Sequence, residues 1–205
     1  AESGTPRRMI RLVNAFIGWM RGGTAIIVIV ACTFFTAFTG ATGVTIIALG
    51  GLVYPMLIKE KYGEKFSLGL VASSGTMGLL FPPSIAIILY GLIANVSISK
   101  LFVAGLIPGG ILVALLFAYS VIKAPKIEER KKVSFSEMTG AVKEAAWEIP
   151  LPILVLWGIY SGKFTASEAA VITAMYAFVV EVFIYRDLKL KTDVPRITRA
   201  SIVLT

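Results

Sequence analysis

Residues Ser73 to Ser84 read SSGTMGLLFPPS and lie inside an uncharged run from Phe66 to Ser99. The two consecutive prolines carry no backbone N–H, so a helix through them leaves the carbonyls of Gly78 and Leu79 without the donor four residues ahead. In hydrocarbon, such a break is tolerated only where protein or a water-filled cavity satisfies the freed groups. Secondary transporters hold ions and substrates at breaks of this kind. The stretch therefore predicts a broken transmembrane helix and favours an ion-coupled transporter.

The composition indicates an integral membrane protein. The 205 residues are 57% hydrophobic and the mean hydropathy is +0.83, while the uncharged runs are too long for a soluble core. The single Cys32 and the absence of histidine argue against disulfides, zinc sites and histidine acid–base chemistry. An enzyme using Ser73 or Ser74 as a nucleophile would need a base. Neither the run from Phe66 to Ser99 nor a second uncharged run from Thr24 to Ile58 contains one. We therefore expect neither catalysis nor an organic cofactor.

Basic residues are concentrated on one predicted side of the membrane. The net charge is +8, from 20 Lys and Arg against 12 Asp and Glu. If the segments 1–23, 59–65, 123–143 and 186–205 are cytoplasmic, eighteen of the basic residues lie inside and only Lys100 and Lys163 lie outside. This is the positive-inside pattern of a membrane protein. It explains the charge better than nucleic-acid binding does.

The run from Thr24 to Ile58 predicts a re-entrant hairpin. It contains 35 uncharged residues between basic flanks, and its centre, Thr36 to Thr45, consists largely of glycine, alanine and threonine. Two arms of about 15 residues would each reach about 23 Å, which is short of a hydrocarbon core of about 30 Å. The chain would then return to the cytoplasmic side from which it entered. A pair of thin full-length spans joined by a tight turn would restore the same side, so the loop charges leave that alternative open.

The remaining segments complete an all-α integral membrane protein. Thr5 and Pro6 resemble an N-cap and a first helical residue, and an amphipathic pattern follows them. This helix lies either in the membrane interface or against other protein. Thr165 and Glu168 form a capping-box pattern. The predicted order is an amphipathic interfacial helix (1–23), a re-entrant hairpin (24–58), a transmembrane helix with a Pro-Pro break (59–99), a transmembrane helix (100–122), a cytoplasmic connection with an amphipathic helix (123–148), two transmembrane helices (149–185), and a cytoplasmic connection with the start of a further span (186–205).

Several separated motifs resemble the large membrane subunit of TRAP transporters (tripartite ATP-independent periplasmic transporters). The matching stretches are Thr36 to Gly51, Ala72 to Ser84, Ile88 to Gly91, Leu106 to Gly109 and Gly158 to Ala170. The resemblance covers essentially the whole chain. The family's subunit is about twice as long and carries a second, inverted hairpin and broken helix. The chain therefore resembles one inverted repeat, either as a fragment or with the second half on a separate polypeptide.

The resemblance implies an elevator-type, sodium-driven importer of the bacterial inner membrane. Its implied partners are a smaller membrane subunit, a soluble periplasmic binding protein and the second half of the large subunit. Its implied substrate is an organic acid such as a dicarboxylate or a sialic acid. A channel subunit would share the topology but needs a continuous pore. A non-transporting membrane anchor or scaffold subunit is the other alternative.

The resemblance also implies a sodium site between the hairpin tip and the broken helix. The uncharged runs offer only hydroxyls and carbonyls as ligands. Thr36 and Thr39 share a helical face, and Gly78 lies before the prolines. The predicted sodium ligands are Thr36, Thr39, Gly78, Phe81 and Pro83. Ordinary helix packing through small residues is the alternative explanation of this cluster.

The half-helix ends predict where a substrate carboxylate binds. Helix N-termini carry a partial positive charge that suits an anion. The predicted substrate-binding residues are Thr42, Gly43, Ser73, Ser74 and Thr76.

Overall fold

A computed structural model describes residues 4–125, 135–189 and 192–197. Every regular element within these residues is helical, which confirms the predicted all-α class. The chain forms two compact units, one of residues 6–146 and one that combines residues 1–5 with 147–205. We call them the large unit and the small unit. The predicted start of a further span, at Ala200, lies outside the described residues.

Most of the large unit consists of the predicted hairpin and broken helix. The hairpin arms are close to the expected 24–58, whereas the helix predicted over 1–23 already ends at Ile17. Turns at residues 18–22 follow it, with Gly22 in the left-handed region at φ 80°. The elements are α1 (Thr5–Ile17), α2 (Gly23–Thr39), α3 (Thr42–Lys59), α4 (Glu64–Met77), a 3-10 turn (Gly78–Leu80), α5 (Ile85–Ile93), α6 (Ile98–Lys123) and α7 (Phe135–Glu144).

The first hairpin arm, α2, forms the centre of the large unit. It is apolar on all sides, the composition of a helix that is buried all round. Residues 22–29 are buried without interruption, and α2 contacts α3, α4, α5, α6 and the 3-10 turn. Its side chains Ile27 and Ile29 pack in one core with Leu49 and Val53 of α3 and Val71 of α4. The hairpin and the broken helix are thus parts of one packed body.

The predicted break lies where the two prolines place it. Helix α4 ends at Met77, the 3-10 turn Gly78–Leu80 follows, and α5 begins at Ile85. The two helical parts of this span are bent by 41° relative to each other. The Pro82–Pro83 peptide bond is cis.

Two helices of the described chain are long and apolar enough to cross a membrane, and a bent pair makes a third span if its two halves form one crossing. The two helices are α3 and α6, and the bent pair is Glu64–Leu80 with Ile85–Ile93. The hairpin arms have 17 and 18 residues, longer than the 15 or so expected, and α3 reaches the length of a span. The re-entrant hairpin and the alternative of two thin spans are both compatible with these lengths, so the hairpin's depth stays a prediction.

Helix α1 packs partly against the rest of the large unit and is partly exposed. Ile10 lies in the core and Met9 is buried, while Phe16, Trp19 and Met20 at its end and in the following turn are 45–46% exposed. Arg11 forms an ion pair with Glu144 of α7. The exposed side chains leave room for either expected environment, so a position in the membrane interface and a position against other protein both stay predictions.

The small unit contains α8 (Pro150–Tyr160), α9 (Ala166–Val179) and a π-helical turn (Val180–Ile184). The capping box before α9 is confirmed: the Thr165 amide donates to Glu168 Oε2 at 2.8 Å, and the Glu168 amide donates to Thr165 Oγ1 at 3.2 Å. Helix α8 has 11 residues, or about 16 Å, which is well below a hydrocarbon thickness of about 30 Å. That this helix crosses the membrane stays a prediction.

Candidate ion-binding site

The hairpin and the broken helix touch at backbone level beside the break. A Cβ atom added to Gly78 would lie 2.5 Å from Cβ of Thr36 and 2.7 Å from the amide nitrogen of Ala37. It would also lie 2.4 Å from the carbonyl oxygen of Thr33. No side chain fits at Gly78 without moving the α2 backbone. The structure therefore brings together two of the predicted ligands, Thr36 and Gly78.

Two fully buried hydroxyls have no partner among the described residues, that of Thr36 at this contact and that of Ser84 directly after the two prolines. Thr36 and Ser84 are both 0% exposed, and neither Thr36 Oγ1 nor Ser84 Oγ finds a hydrogen-bond partner among the described residues. A buried polar atom left in this state costs about 1–3 kcal/mol, so such an atom commonly marks a place for water or an ion. Thr36 is one of the ligands predicted from the sequence, and Ser84 is not. The position of Ser84 directly after the two prolines was the available signal.

The carbonyl oxygens of the break are partly used by the turn itself. The Phe81 amide donates to the Gly78 carbonyl at 3.1 Å, and the Ser84 amide donates to the Phe81 carbonyl at 3.1 Å. The Gly78 carbonyl lacks the donor four residues ahead, as expected, but it is not left without a backbone donor, because a 3-10 bond from residue 81 replaces the α-helical bond from residue 82. Each carbonyl oxygen has a second lone pair. Gly78 and Phe81 thus keep the capacity to coordinate an ion, and Pro83 is half-buried in the same turn.

Thr39 occupies a different position from Thr36. It is exposed, and its Oγ1 lies 3.2 Å from Thr45 Oγ1 and accepts from the Ala41 amide at 3.4 Å. Thr45 is buried, and its hydroxyl reaches the Ala41 carbonyl at 3.3 Å. These hydrogen bonds link the end of α2 to the start of α3 across the hairpin tip. The sequence analysis missed the role of Thr45, although a threonine just after the tip can reach back across a two-residue turn.

The hairpin tip also contacts the second half of the broken helix. Gly40 is in the left-handed region at φ 64°, and a Cβ atom added there would lie 2.9 Å from Cβ of Ile85. Since Ile85 is the first residue of α5, the tip lies against the point where the helix resumes. The tip and both sides of the break form one continuous contact.

The predicted substrate residues divide into an exposed group and one buried member. Ser73, Thr76 and Gly43 are exposed and Thr42 is half-buried. The Thr42 carbonyl lies next to α4, 3.8 Å from a Cβ built on Gly75. Ser74 is fully buried, and its hydroxyl donates to the Leu70 carbonyl at 2.6 Å. Ser74 therefore has a structural hydrogen bond inside α4. Thr76 has one as well, because its hydroxyl donates to the Ala72 carbonyl at 3.0 Å, but Thr76 and the other three residues lie at or near an accessible face.

The donor atoms around the break are hydroxyl and carbonyl oxygens without a charged partner. Among the described residues, no group of His, Cys, Asp or Glu side chains is arranged to hold a metal ion. Neutral oxygen ligands suit a hard, weakly charged ion better than a transition metal, which prefers imidazole or thiolate. The arrangement matches the chemistry of an alkali-metal ion.

Comparison with known proteins decides the family. A family model described as "Tripartite ATP-independent periplasmic transporter, DctM component" matches residues 1–204. The chain belongs to the DctM family. This confirms the resemblance seen in the sequence motifs. DctM membership and the apolar helices together place the chain in the bacterial inner membrane.

Individual DctM relatives are similar over nearly the whole chain. A C4-dicarboxylate TRAP transporter large permease protein of Vibrio cholerae is 37% identical over 190 residues, which is 92% of this chain and 42% of the relative. An ectoine TRAP transporter large permease protein of Halomonas elongata is 36% identical, over 97% of this chain and 47% of the relative. A sialic acid TRAP transporter permease protein of Haemophilus influenzae is 34% identical, over 92% and 31%. The chain spans about half the length of the DctM proteins that it matches, or less.

Proposed function

We propose that the chain is part of the membrane subunit of a sodium-coupled secondary transporter that imports an organic acid. The observation that carries this proposal is the unpartnered hydroxyl of Thr36, fully buried beside Gly78 at the break. A buried hydroxyl in this state calls for water, an ion or another ligand as its partner. Of the three such hydroxyls among the described residues, those of Thr36 and Ser84 belong to the hairpin arm and the break, and that of Ser120 lies on α6. The DctM assignment supports transport as the use of that site.

Sodium is the ion that best fits the available donors. The hydroxyls of Thr36 and Ser84 and the carbonyls of Gly78, Phe81 and Pro83 supply oxygen atoms, and hard cations take oxygen ligands. Calcium sites usually include several carboxylates, and the described residues between Phe66 and Ser99 contain none. A site of neutral oxygens thus favours a single positive charge. Thr39, the remaining predicted ligand, lies at the hairpin tip close to this site.

The proposed substrate and partners rest on the exposed residues near the hairpin tip and on the DctM family. Thr42 and Gly43 begin α3, where free amides and the helix dipole favour a carboxylate, and Ser73 and Thr76 lie on the exposed side of α4. The names of the relatives include the substrates C4-dicarboxylate, ectoine and sialic acid. We propose an organic acid delivered by a periplasmic binding protein, and a transporter completed by a small membrane subunit and by the second half of the large subunit.

An elevator mechanism is consistent with the packing. The tip touches α5 through Gly40 and Ile85, and α2 touches the 3-10 turn through Thr36 and Gly78. Helices in contacts this close cannot slide past one another, because a close-packed interior leaves no space for intermediate positions. The hairpin and broken helix would therefore move together as one body that carries the ion and the substrate.

Sodium-dependent stability of the purified chain tests the site without requiring transport. A ligand at 100 times its dissociation constant stabilises the folded state by about 2.7 kcal/mol, and each kcal/mol raises Tm by about 2–4 °C for a chain of this size. We expect a higher Tm in NaCl than in choline chloride of equal ionic strength. Thr36→Val keeps the side-chain shape and removes the oxygen, so it should abolish that difference.

Ser120→Ala is the matched control. Ser120 is also a fully buried hydroxyl without a partner among the described residues, but it lies in the last turn of α6, far along the chain from the break. Its loss should leave the sodium effect unchanged. A sodium effect that is absent in the parent chain, or that survives in Thr36→Val, would refute the proposed site.

A further inference from the structure

Exposed basic residues gather at one end of the large unit. Arg21 precedes α2, Lys59 ends α3, Lys61 and Lys65 flank the start of α4, and Lys123 ends α6. All five are exposed, and none forms an ion pair within the described residues. We call this set of five residues the basic end. Glu60 and Glu64 are the acidic residues that lie beside it in the sequence, so a clear positive excess remains.

Direct contacts hold these helix ends together. Tyr62 stacks on Phe66 with ring centroids 5.3 Å apart, and Phe66 lies 5.8 Å from the ring of Tyr119 on α6. Lys123 Nζ lies 5.9 Å from the centroid of the Tyr119 ring. The aromatic residues thus join the α3–α4 turn to the last turn of α6.

Arg21 belongs to the same end of the large unit. A Cβ atom added to the adjacent Gly22 would lie 3.2 Å from Cα of Val121 on α6. Burial raises the pKa of Tyr62 to about 12, the Glu60 carboxylate adds to that rise, and the Arg21 guanidinium opposes it. Arg21 and Glu60 therefore both act electrostatically on Tyr62, in the turn between α3 and α4.

An apolar rim lies next to these charges. Phe16, Trp19 and Met20 are 45–46% exposed, and Arg21 follows them directly. Helices α3 and α6 are long and apolar enough to cross a membrane, and each ends in a lysine. In a membrane that they cross, Lys59 and Lys123 lie at the depth of the lipid headgroups. Tryptophan and lysine at that depth are typical of the membrane–water interface.

We propose that the basic end is a binding surface for anionic phospholipid headgroups, with Phe16, Trp19 and Met20 inserted among the adjoining acyl chains. Basic residues near a membrane surface gain about 1 kcal/mol each from anionic lipid. The apolar rim and the membrane depth favour a lipid over a soluble polyanion, which would not need exposed tryptophan beside the charge. This surface is separate from the candidate ion site and does not depend on transport.

The experiment compares lipid binding to the full chain in an uncharged detergent. Phosphatidylglycerol and phosphatidylcholine are titrated separately, and bound lipid is counted by native mass spectrometry. The parent chain should prefer phosphatidylglycerol. Each of Arg21→Gln, Lys61→Gln and Lys123→Gln should weaken phosphatidylglycerol binding by about 5-fold, and the triple variant by about 100-fold, with phosphatidylcholine binding unchanged.

Lys100→Gln is the control, because Lys100 is an exposed lysine in the first turn of α6, at the end opposite to Lys123. It should leave binding unchanged, and all variants should keep the parent Tm. Equal binding of both lipids, or an equal loss in Lys100→Gln, would overturn the proposal. Displacement of phosphatidylglycerol by inorganic phosphate, beyond that caused by NaCl of equal ionic strength, would also overturn it by indicating a phosphate site.

Discussion

Thr36 and Gly78 are in such close contact that a Cβ atom on Gly78 would lie 2.5 Å from Cβ of Thr36. The hairpin arm and the broken helix therefore meet through backbone rather than through interdigitating side chains. Small residues permit this kind of approach between membrane helices. Here the approach places a buried hydroxyl against a 3-10 turn whose carbonyls retain free lone pairs. The glycine is thus a requirement of the site's geometry.

Gly78→Ala should destabilise the large unit by about 1–3 kcal/mol, the usual cost of forcing extra atoms into a packed interior. The new methyl group would meet the backbone of Thr33 and Ala37, which cannot move aside as a flexible side chain can. Denaturant unfolding in mixed micelles measures the change. Gly69→Ala is the control, because a Cβ atom at Gly69 meets nothing within 4 Å and alanine favours helix by up to about 1 kcal/mol. Equal effects of the two substitutions would show that Gly78 is not closely packed.

Thr39→Ala tests whether Thr39 binds the ion or only shapes the tip. If its oxygen is a ligand, the loss costs about 1–3 kcal/mol, and the sodium concentration for half-maximal uptake rises by about 5-fold to 150-fold. Thr45→Ala breaks the same hydroxyl contact of 3.2 Å and leaves the Thr39 oxygen in place. Uptake into proteoliposomes by the complete transporter, across a sodium titration, compares the two. A similar rise in both variants would mean that tip geometry, and not ligation by Thr39, sets the affinity.

Pro82→Ala should lengthen α4 at the expense of the break. The new amide can donate to the Gly78 carbonyl, in competition with the 3-10 bond from Phe81 of 3.1 Å. The variant should insert into the membrane and fold, but its Tm should lose the dependence on sodium. Leu115→Ala, on an exposed part of α6, should keep the parent response. A parent-like sodium response in Pro82→Ala would assign the break to packing or hinge motion instead of ion binding.

Cysteine labelling tests the predicted topology. With Cys32→Ala as background, Glu64→Cys should react with an impermeant reagent only from the cytoplasm and Lys100→Cys only from the periplasm. Both positions are exposed, so protein packing does not block the reagent. They flank the bent helix pair, which must then cross the membrane once. Labelling of Lys100→Cys from the cytoplasm would contradict the assignment of every segment after Phe66.

The sequence predicts the positions of the helices, the hairpin turn and the break well, because the strongest signals for them are local. Two prolines cannot continue a helix, and the helix stops and resumes on either side of them. The Gly40-Ala41 pair at the centre of an apolar run turns the hairpin where expected. Thr36 was assigned from its type and helical position, and it is indeed buried beside Gly78. The proline break and the hairpin turn depend on neighbours close in sequence, whereas the contact of Thr36 with Gly78 joins two helices that are distant in sequence.

The features that the sequence analysis missed depend on how the turn relaxes and on which side chains meet. The 3-10 bond to Gly78 arises because the backbone finds a donor three residues ahead once the fourth is proline. Thr45 gains its role because the tight turn brings its hydroxyl back to Thr39 and Ala41, and Ser84 because its side chain is fully buried after the prolines; hydrophobic periodicity indicates neither. Ser74 was assigned to the substrate, but its hydroxyl donates to the carbonyl of Leu70 four residues earlier, an option open to any helical serine.

The 41° bend between α4 and α5 changes which helices the span contacts. Helix α5 has 9 residues and is about 13 Å long, so its far end lies about 9 Å to the side of a straight continuation of α4. That displacement is comparable with the separation of packed helix axes, about 8–10 Å. Helix α4 packs on α2 and α3, whereas Gly91 of α5 packs against Ile98 and Leu101 of α6. The bend thus carries α5 from the hairpin tip, where its first residue Ile85 contacts Gly40, to α6, where Gly91 packs.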